Sequence, residues 1–357
     1  MPKAGLIANN IFIAQSARIL FLTGLAFIVA LILTPFIKKL LRKHKLGKQI
    51  RSDKNAPVFS KMHAHKEGTP TMGGIIIWLT VLGLAAIIFI LNKLFGGIFN
   101  HLNLINRAET YLPIAAMLIA ALIGMIDDIL GIFRIGVNGG GLKVRHKLIG
   151  YVFLAAIGAW WFYFKLDWSV LTVPFLGNIE IGWWYFPIFM FIIIASAFSA
   201  NETDGLDGLL GGVSLFSFGA LIVVAFALGR YDLAAFGGIV IGALLAFLWF
   251  NIYPAKFFMG DTGSMALGIT MGVIAMLTNT VLLLPFFAII PVTESLSVII
   301  QLISRKMFKK KIFFSTPVHH HFEALGWPET QITMRFWIVS AVFSSLGLVL
   351  FFLSRFM

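Results

Sequence analysis

Apolar residues run along this chain in ten long blocks that are separated by short polar connections. A block of this kind is typical of a helix that crosses a lipid bilayer, which needs about 20 apolar residues. The eighth and ninth blocks are separated only by the break Thr278-Asn279-Thr280. The pattern predicts spans at residues 19–37, 73–95, 112–133, 148–164, 185–200, 210–228, 233–252, 263–279, 281–303 and 335–353. We therefore expect an all-α polytopic integral membrane protein with about ten transmembrane helices.

Composition supports the same class. Hydrophobic residues make up 59% of the 357 residues and charged residues only 12%, more apolar surface than a soluble domain could bury. The chain has no cysteine, which excludes disulfides, thiolate nucleophiles and cysteine-ligated metal sites. The N-terminal segment lacks the features of a signal peptide, so we expect the first span to be retained in a single membrane domain, residues 1–357.

The basic residues predict the orientation. Of the 28 lysines and arginines, 21 fall in connections on one side of the predicted spans. Because cytoplasmic loops are enriched in Lys and Arg, this face is predicted to be cytoplasmic and both termini to lie outside the cytoplasm. The net charge of +13 then reflects topology and attraction to anionic lipid and substrate, rather than binding of nucleic acid.

The acidic residues are biased to the same face. Eleven of the 15 lie on or near it, although the positive-inside rule says little about Asp and Glu. Carboxylates near lipid are costly and usually functional. A metal and phosphate site would explain the bias, and its residues would come from connections 38–72, 127–147, 201–210, 251–264 and 304–334.

The pair Asp127-Asp128 follows an uncharged apolar run. Sixteen helical residues from Tyr111 to Ile126 rise by about 24 Å, so the pair is predicted at the inner edge of the hydrocarbon. Two adjacent carboxylates repel each other unless a cation offsets them, and candidates for that cation are Lys143, Arg145 and Lys147. The alternative is a solvated helix end.

Two further acidic motifs follow. Asn201, Asp204 and Asp207 recur every three residues, which predicts that they share one side of a helical turn. Asp261 opens the eighth span, where it could cap the helix or hold Mg²⁺ with its hard oxygens. Asn251 lies nearby in sequence and adds an amide, which suits phosphate chemistry better than capping alone.

Three consecutive histidines, His319, His320 and His321, follow Pro317. Successive residues of a helix turn by about 100°, so the three cannot share one helix face, and we expect a loop that presents imidazoles to a ligand. With carboxylates nearby and no cysteine, phosphate contacts and proton handling are preferred to zinc. Weaker signals are the glycine-rich turn 66–74 and the glycine pairs at 238/242 and 268/272, which would allow close helix packing or dimerisation.

Taken in order, these segments resemble the bacterial phospho-N-acetylmuramoyl-pentapeptide transferases, within the superfamily of polyprenyl-phosphate N-acetylhexosamine-1-phosphate transferases. The resemblance covers the whole length of the chain. The segment 317–327, with its three histidines, favours this family over its superfamily relatives. The segments that carry the resemblance are 66–74, 127–128, 201–208, Asn251 with 254–264, Gln301 and 316–327.

The resemblance implies an enzyme of the bacterial inner membrane whose active site faces the cytoplasm. It would transfer phospho-N-acetylmuramoyl-pentapeptide from its UDP-activated form to undecaprenyl phosphate, giving lipid I and UMP for peptidoglycan synthesis. It implies Mg²⁺ with Asp261 as its ligand, and catalytic roles for Asp127, Asp128, Asp261 and the three histidines. The substrate-binding positions that it implies are Lys66, Thr71, Lys143, Asn201, Asp204, Asp207, Asn251, Phe258 and Gln301.

One position departs from the family. Glu202 stands where the family more often has an apolar residue, and it adds a negative charge beside the site. Two other functions are alternatives: transfer of N-acetylglucosamine phosphate, as in a superfamily relative, and secondary transport. A transporter would place ionisable groups near the bilayer midplane in two repeated halves, and the sequence gives no sign of either. A homodimer is possible.

Overall fold

The computed structural model describes residues 2–44, 46–47, 66, 68–105, 108–135 and 141–356. This part of the chain is largely helical. Its helices are α1 Pro2–Lys43, α2 Ile75–Phe95, α3 Ile98–Leu102, α4 Ala108–Ile132, α5 Val144–Trp160, α6 Tyr185–Thr203, α7 Leu209–Ala227, α8 Tyr231–Asn251, α9 Asp261–Leu277, α10 Leu284–Phe287, α11 Ile289–Met307, α12 Val318–Ala324 and α13 Glu329–Phe356. A π-helical turn, Trp161–Lys165, extends α5, and a 3-10 turn, Gly182–Trp184, precedes α6.

Among the described residues, eight helices are long and apolar enough to cross a bilayer: α1, α2, α4, α5, α6, α7, α8 and α13. This confirms a polytopic membrane protein. The two remaining predicted spans correspond to α9, which has 17 residues, and to α11, which carries Glu294, Arg305 and Lys306. The predicted break after α9 is observed, since that helix ends at Leu277. The total of ten spans stays a prediction.

One short hairpin interrupts the largely helical fold between α5 and α6. Strands β1 (Val170–Val173) and β2 (Gly177–Glu180) form an antiparallel hairpin, with Val170 opposite Glu180. Each strand has only four residues, too few for an alternating pattern to stand out from a polar connection. Gly177 adopts a φ of 82°, which a residue with a side chain rarely does, and so allows the chain to leave the turn.

Helices α8 and α9 form the centre of the bundle. Every residue of α9 from Thr262 to Leu277 is buried, as expected of a helix that is apolar all round. The glycine pair at 238/242 faces α1, and the pair at 268/272 faces α6, so closely that a side-chain carbon there would press on the neighbouring helix. Both pairs therefore serve helix packing within the chain.

Six helix ends meet at one end of the bundle. Asp128 of α4 binds the start of α9, and Asn201 of α6 binds Asp261. Asn251 at the end of α8 binds the segment that leads into α7. Glu329 at the start of α13 binds the backbone of that same segment. This end of the bundle contains most of the polar residues that the sequence singled out.

Candidate active site

The N-terminus of α9 is capped by a carboxylate from another helix. Asp128 Oδ1 accepts the backbone N–H of Asp261 at 3.1 Å, and Asp128 Oδ2 accepts that of Thr262 at 3.0 Å. The first N–H groups of a helix lack intrahelical partners and carry positive partial charge, so an anion stabilises them. The alternative that Asp261 caps its own helix is wrong, because the oxygens of Asp261 bind other groups.

Two glycines let neighbouring helices reach this N-terminus. A side-chain carbon on Gly124 of α4 would collide with the Asp261 carbonyl, and one on Gly74 would collide with the backbone of Gly263. Only glycine permits approach this close. The contact of α4 with α9 is what brings the Asp127-Asp128 pair beside Asp261.

Lys147 lies between two carboxylates. Its Nζ is 2.6 Å from Asp127 Oδ2 and also forms an ion pair with Asp261 Oδ2. Asp261 Oδ1 accepts a hydrogen bond from Asn201 Nδ2 at 2.7 Å, and Asp127 Oδ1 accepts one from the backbone N–H of Leu142. The ammonium therefore offsets the repulsion between Asp127 and Asp261. The sequence predicted a cation for the adjacent pair Asp127-Asp128, whereas Asp128 binds the backbone N–H groups of α9 instead.

Lys143 does not take that role. It is exposed and occupies the N-cap position of α5, one turn before Lys147. Among the described residues no carboxylate lies within ion-pair distance of its ammonium group. Its predicted contact with substrate stays a prediction.

Two of the carboxylates are placed where they could hold a magnesium ion. Asp127 and Asp261 already share one cation, the Lys147 ammonium, so their oxygens converge on one place. In the described part of the chain, no three acidic or histidine side chains are grouped to hold a metal. Two suffice, because Mg²⁺ usually keeps several waters and binds one or two carboxylates together with substrate phosphates.

A second cluster joins three segments that are distant in sequence. Lys66 Nζ lies 2.7 Å from Asp207 Oδ1 and 2.6 Å from Glu329 Oε1, and all three side chains are largely buried. Glu329 Oε1 also accepts the backbone N–H of Asp207 at 2.6 Å. This buried ion-pair network fixes the connection between α6 and α7 against α13.

The expected helical repeat of Asn201, Asp204 and Asp207 is wrong. Helix α6 ends at Thr203, so the three side chains leave in different directions. Whereas Asn201 binds Asp261, Asp204 Oδ2 accepts the backbone N–H of Gly260 at 3.1 Å. Asp207 Oδ2 accepts a backbone N–H from the 252–260 connection at 2.9 Å. The two aspartates thus hold the connection that leads into α9.

Asn251 and Phe258 help to fix the same connection. Asn251 Oδ1 accepts the N–H of Gly208 at 3.1 Å, and Asn251 Nδ2 donates to the carbonyl of Phe257 at 2.9 Å. The Phe258 carbonyl accepts the N–H of Gly73 at 2.8 Å, and its ring lies 5.8 Å from Lys66 Nζ. The glycine-rich turn 66–74 is thereby tied to the entry of α9.

Thr71 and Gln301 are also held internally. Thr71 is buried, and its N–H donates to the carbonyl of Leu46 at 3.0 Å. Gln301 Oε1 accepts the backbone N–H groups of Ile312 and Phe313 at 3.0 and 3.1 Å. Gln301 therefore anchors the basic connection after α11. Its contact with substrate stays a prediction.

The three histidines lie in helix α12, so the prediction of a loop is wrong. Their side chains nevertheless point in three directions, because successive residues of a helix are rotated by about 100° about its axis. His319 Nδ1 lies 3.1 Å from Glu294 Oε2, and His320 Nδ1 lies 2.6 Å from Glu323 Oε2. His321 Nδ1 accepts the backbone N–H of Phe314 at 3.2 Å.

His319 is the most enclosed of the three. It is 1% exposed, and its ring packs so closely on Gly205 that a side-chain carbon there would overlap it. Burial lowers the pKa of His319, but the Glu294 carboxylate outweighs burial and raises that pKa above its usual value. Glu323 and Glu202 act in the same direction, which gives Glu202 a place in the electrostatics of the site.

Comparison with known proteins is consistent with this arrangement. Residues 110–279 match the model of glycosyl transferase family 4, and residues 66–77 match signature 1 of the phospho-N-acetylmuramoyl-pentapeptide-transferases. The transferase of that name from Anoxybacillus flavithermus is 39% identical, covering 92% of this chain and 97% of the relative. Those from Geobacillus thermodenitrificans and Chloroflexus aurantiacus are both 38% identical, covering 91% and 96% of this chain and 95% and 92% of the relatives.

This chain belongs to the phospho-N-acetylmuramoyl-pentapeptide transferase family. The family signature contains Lys66 and the glycine-rich turn that contacts Phe258. The glycosyl transferase model spans the carboxylate cluster from Asp127 to Asp261. The histidine helix lies outside both matched segments, and its His319 packs against Gly205, which lies within the glycosyl transferase segment.

Three residues that the structure places in these clusters are absent from the catalytic and substrate-binding residues predicted from the sequence: Lys147, Glu294 and Glu329. Lys147 was one of three basic candidates, and spacing alone could not select it. Glu294 is an acid within a predicted span, a position that is functional by default, so that signal was present. Glu329 precedes the last predicted span, and only its contact with Lys66 reveals it.

Proposed function

We propose that this transferase moves phospho-N-acetylmuramoyl-pentapeptide from its UDP-activated form to undecaprenyl phosphate, giving lipid I and UMP. Relatives that carry the family name at 38–39% identity cover more than nine tenths of the chain. The observation that carries the proposal is the convergence of Asp127, Lys147 and Asp261 from three helices at one end of a membrane bundle. Transfer of N-acetylglucosamine phosphate is not favoured by these matches.

The site would face the cytoplasm of a bacterial inner membrane, with ten spans and both termini outside. The distribution of 21 of the 28 basic residues supports this orientation. A soluble nucleotide would then arrive from the cytoplasm while the lipid phosphate arrives from the bilayer. Chemistry at the membrane edge is where both substrates can meet.

The reaction joins two anions. An oxygen of the lipid phosphate forms a bond to the phosphorus that carries the sugar, and the bond from that phosphorus to UMP breaks. The second pKa of a phosphate monoester is about 6, so the attacking phosphate is mostly ionised at neutral pH and needs no strong base. We therefore favour direct attack.

The bonds made by the paired aspartates support direct attack. Both oxygens of Asp128 are engaged with the N–H groups of α9. Those of Asp127 bind the Leu142 N–H and Lys147. An aspartate nucleophile would first have to free an oxygen, and for Asp128 this would uncap the N-terminus of α9.

Each cluster then has a role in binding. Asp127 and Asp261 would hold Mg²⁺, which when bound supplies charge neutralisation for the pyrophosphate. Lys147 would offer its ammonium to the substrate phosphates. The network of Lys66 and Asp207 would shape the nucleotide pocket, and imidazoles of α12 would donate hydrogen bonds to phosphate or sugar oxygens.

The test is an assay of UMP release. Purified protein is incubated with undecaprenyl phosphate, Mg²⁺ and either UDP-N-acetylmuramoyl-pentapeptide or UDP-N-acetylglucosamine. We expect UMP only with the first nucleotide. UMP release with UDP-N-acetylglucosamine alone would identify an N-acetylglucosamine-phosphate transferase. UMP release with neither nucleotide would contradict an enzymatic role and favour secondary transport.

The same assay without lipid phosphate tests direct attack. We expect no UMP and no label on the protein when labelled nucleotide is supplied alone. One equivalent of UMP with label retained on the protein would instead establish a covalent aspartyl intermediate.

A further inference from the structure

A cavity of about 630 Å³ lies at the opposite end of the bundle from the carboxylate cluster. It is open on one side and lined by the β1–β2 hairpin, the segments after α7 and α9, and the last turn of α13. Helix α9 has 17 residues and so rises by about 25 Å between Asp261 and this end. The cavity is thus separate from the catalytic end, and its volume falls in the range of about 300–1,000 Å³ typical of small-ligand sites.

The walls of the cavity are fixed by hydrogen bonds. Asn279 follows α9, and its side chain makes two hydrogen bonds to the backbone of β1. Its Oδ1 accepts the Thr172 N–H at 3.1 Å, and its Nδ2 donates to the Val170 carbonyl at 3.0 Å. Across the hairpin, Thr172 Oγ1 donates to Asn178 Oδ1 at 2.8 Å. The hairpin is therefore held against the bundle, and the cavity is preformed.

Opposite charges line this cavity without pairing with each other. Arg230 is held by an ion pair with Glu109 at 3.1 Å and lies 5.5 Å from the Trp168 ring centroid. Arg355 and Asp167 are exposed and also line the cavity; Arg355 lies 5.5 Å from the Phe351 ring centroid, and within the described part of the chain neither residue forms an ion pair. A ligand that carries both an anion and a cation would satisfy both side chains.

The surroundings indicate a ligand from the membrane. At the hairpin tip, Phe175 is 49% exposed and Leu176 75%, while Trp183 and Trp184 just beyond β2 are 62% and 66% exposed. Exposed aromatic residues of this kind form belts at the level of the lipid head groups. The cavity therefore lies at head-group depth, where a soluble ligand is less available than a lipid.

From these observations we infer that the cavity binds the head group of an aminophospholipid, in the leaflet away from the active site. The guanidinium of Arg355 binds the lipid phosphate, since guanidinium groups pair well with phosphate oxygens. The carboxylate of Asp167 accepts hydrogen bonds from the primary ammonium. Phosphatidylethanolamine carries both groups, whereas the quaternary ammonium of phosphatidylcholine has no N–H to donate.

Native mass spectrometry of the purified full-length protein tests this inference. The apparent Kd of the first bound lipid is measured with phosphatidylethanolamine, phosphatidylglycerol and phosphatidylcholine. We expect Arg355→Gln to weaken phosphatidylethanolamine and phosphatidylglycerol about tenfold each. Asp167→Asn should weaken phosphatidylethanolamine alone. Lys93→Gln, which removes a cation from the same end of the bundle outside this cavity, is the matched control.

A third variant, Ser354→Trp, fills the cavity while keeping both charges, and should reduce phosphatidylethanolamine binding like Arg355→Gln. UMP release by each variant should equal that of the wild type, which also shows that the fold is intact. The inference is wrong if the variants bind phosphatidylethanolamine with the same apparent Kd as Lys93→Gln. It is also wrong if the wild type binds all three lipids with the same apparent Kd. If soluble phosphoethanolamine displaces the bound lipid as well as phosphatidylethanolamine does, the conclusion that the ligand comes from the membrane is wrong.

Discussion

The three aspartates of the site carry the same group but have different partners. Asp128 binds two backbone N–H groups, which makes it part of the framework of α9. Asp127 and Asp261 bind a side-chain ammonium, that of Lys147. Under the proposed function, these two are the carboxylates that would exchange their partner for a metal ion, because neither of them caps α9.

We expect Asp261→Asn to lose at least about 100-fold in the rate of UMP release, because the amide keeps the size but not the charge that a cation needs. Wild-type activity should vanish with EDTA and return with Mg²⁺. Asp232→Asn is the control, since Asp232 forms its ion pair with Arg18 at 2.8 Å at the other end of α8. Full activity of Asp261→Asn would reduce that residue to a structural role.

The histidines are expected to contribute to turnover through hydrogen bonds to substrate oxygens. Single changes to alanine at His319, His320 and His321 should lower activity at least about tenfold for at least two of the three, or about 1.4 kcal/mol each. Added Zn²⁺ should inhibit or have no effect. If zinc co-purifies stoichiometrically and its removal unfolds the protein, the histidine helix is a metal site instead.

The pair of His319 and Glu294 predicts a pH-dependent stability. Because the folded protein raises the pKa of His319, the charged pair stabilises the fold fully below the unfolded pKa of about 6.5. That contribution is lost as pH rises through the raised pKa. As the pH rises from about 6.5 through the raised pKa of His319, the apparent Tm in detergent should fall in the wild type. The fall should be the same in the control Glu180→Gln, which changes an exposed carboxylate, and smaller in Glu294→Gln. Equal slopes in all three would exclude the charged pair.

At the scale of elements, the site is made from helix ends rather than helix faces. The ends of α4, α6 and α8 and the starts of α9 and α13 contribute its polar groups. Their side chains bind backbone groups of neighbouring segments, so each cluster also fixes a connection. Glycines set how closely these ends approach each other.

Gly205→Ala tests this close packing. A methyl group there would overlap the His319 ring, so we expect the imidazole to be displaced and activity to fall about tenfold or more. Gly219→Ala lies in α7 with open space around it and should keep activity, with an equal or higher Tm. Equal activity of the two variants would show that His319 tolerates displacement.

At the scale of the whole molecule, the membrane orientation is the main prediction. The chain has no cysteine, so single cysteines can be labelled cleanly with a membrane-impermeant thiol reagent on intact cells. We expect labelling of a cysteine at Leu176, on the hairpin tip, but not of one at Lys309. Lys48 lies outside the described residues. Its connection is predicted to be cytoplasmic, like that of Lys309, so a cysteine at position 48 should also stay unlabelled. The reverse pattern would overturn the orientation.

The sequence by itself determined the class of protein and the place of its chemistry. Apolar blocks must span a bilayer because lipid cannot solvate exposed backbone groups, and this holds whatever the helices pack against. Asp127, Asp128 and Asp261 likewise had to lie near the ends of their apolar blocks, since position along a block is fixed by the rise of a helix.

Only the tertiary structure decided which groups meet. The selection of Lys147, the capping of α9 by Asp128 and the contact of Glu329 with Lys66 join residues far apart in sequence. Such contacts depend on how each helix is rotated and how closely its neighbours approach. No local pattern encodes these quantities, so the sequence indicated which residues carry the chemistry and the fold determined their partners.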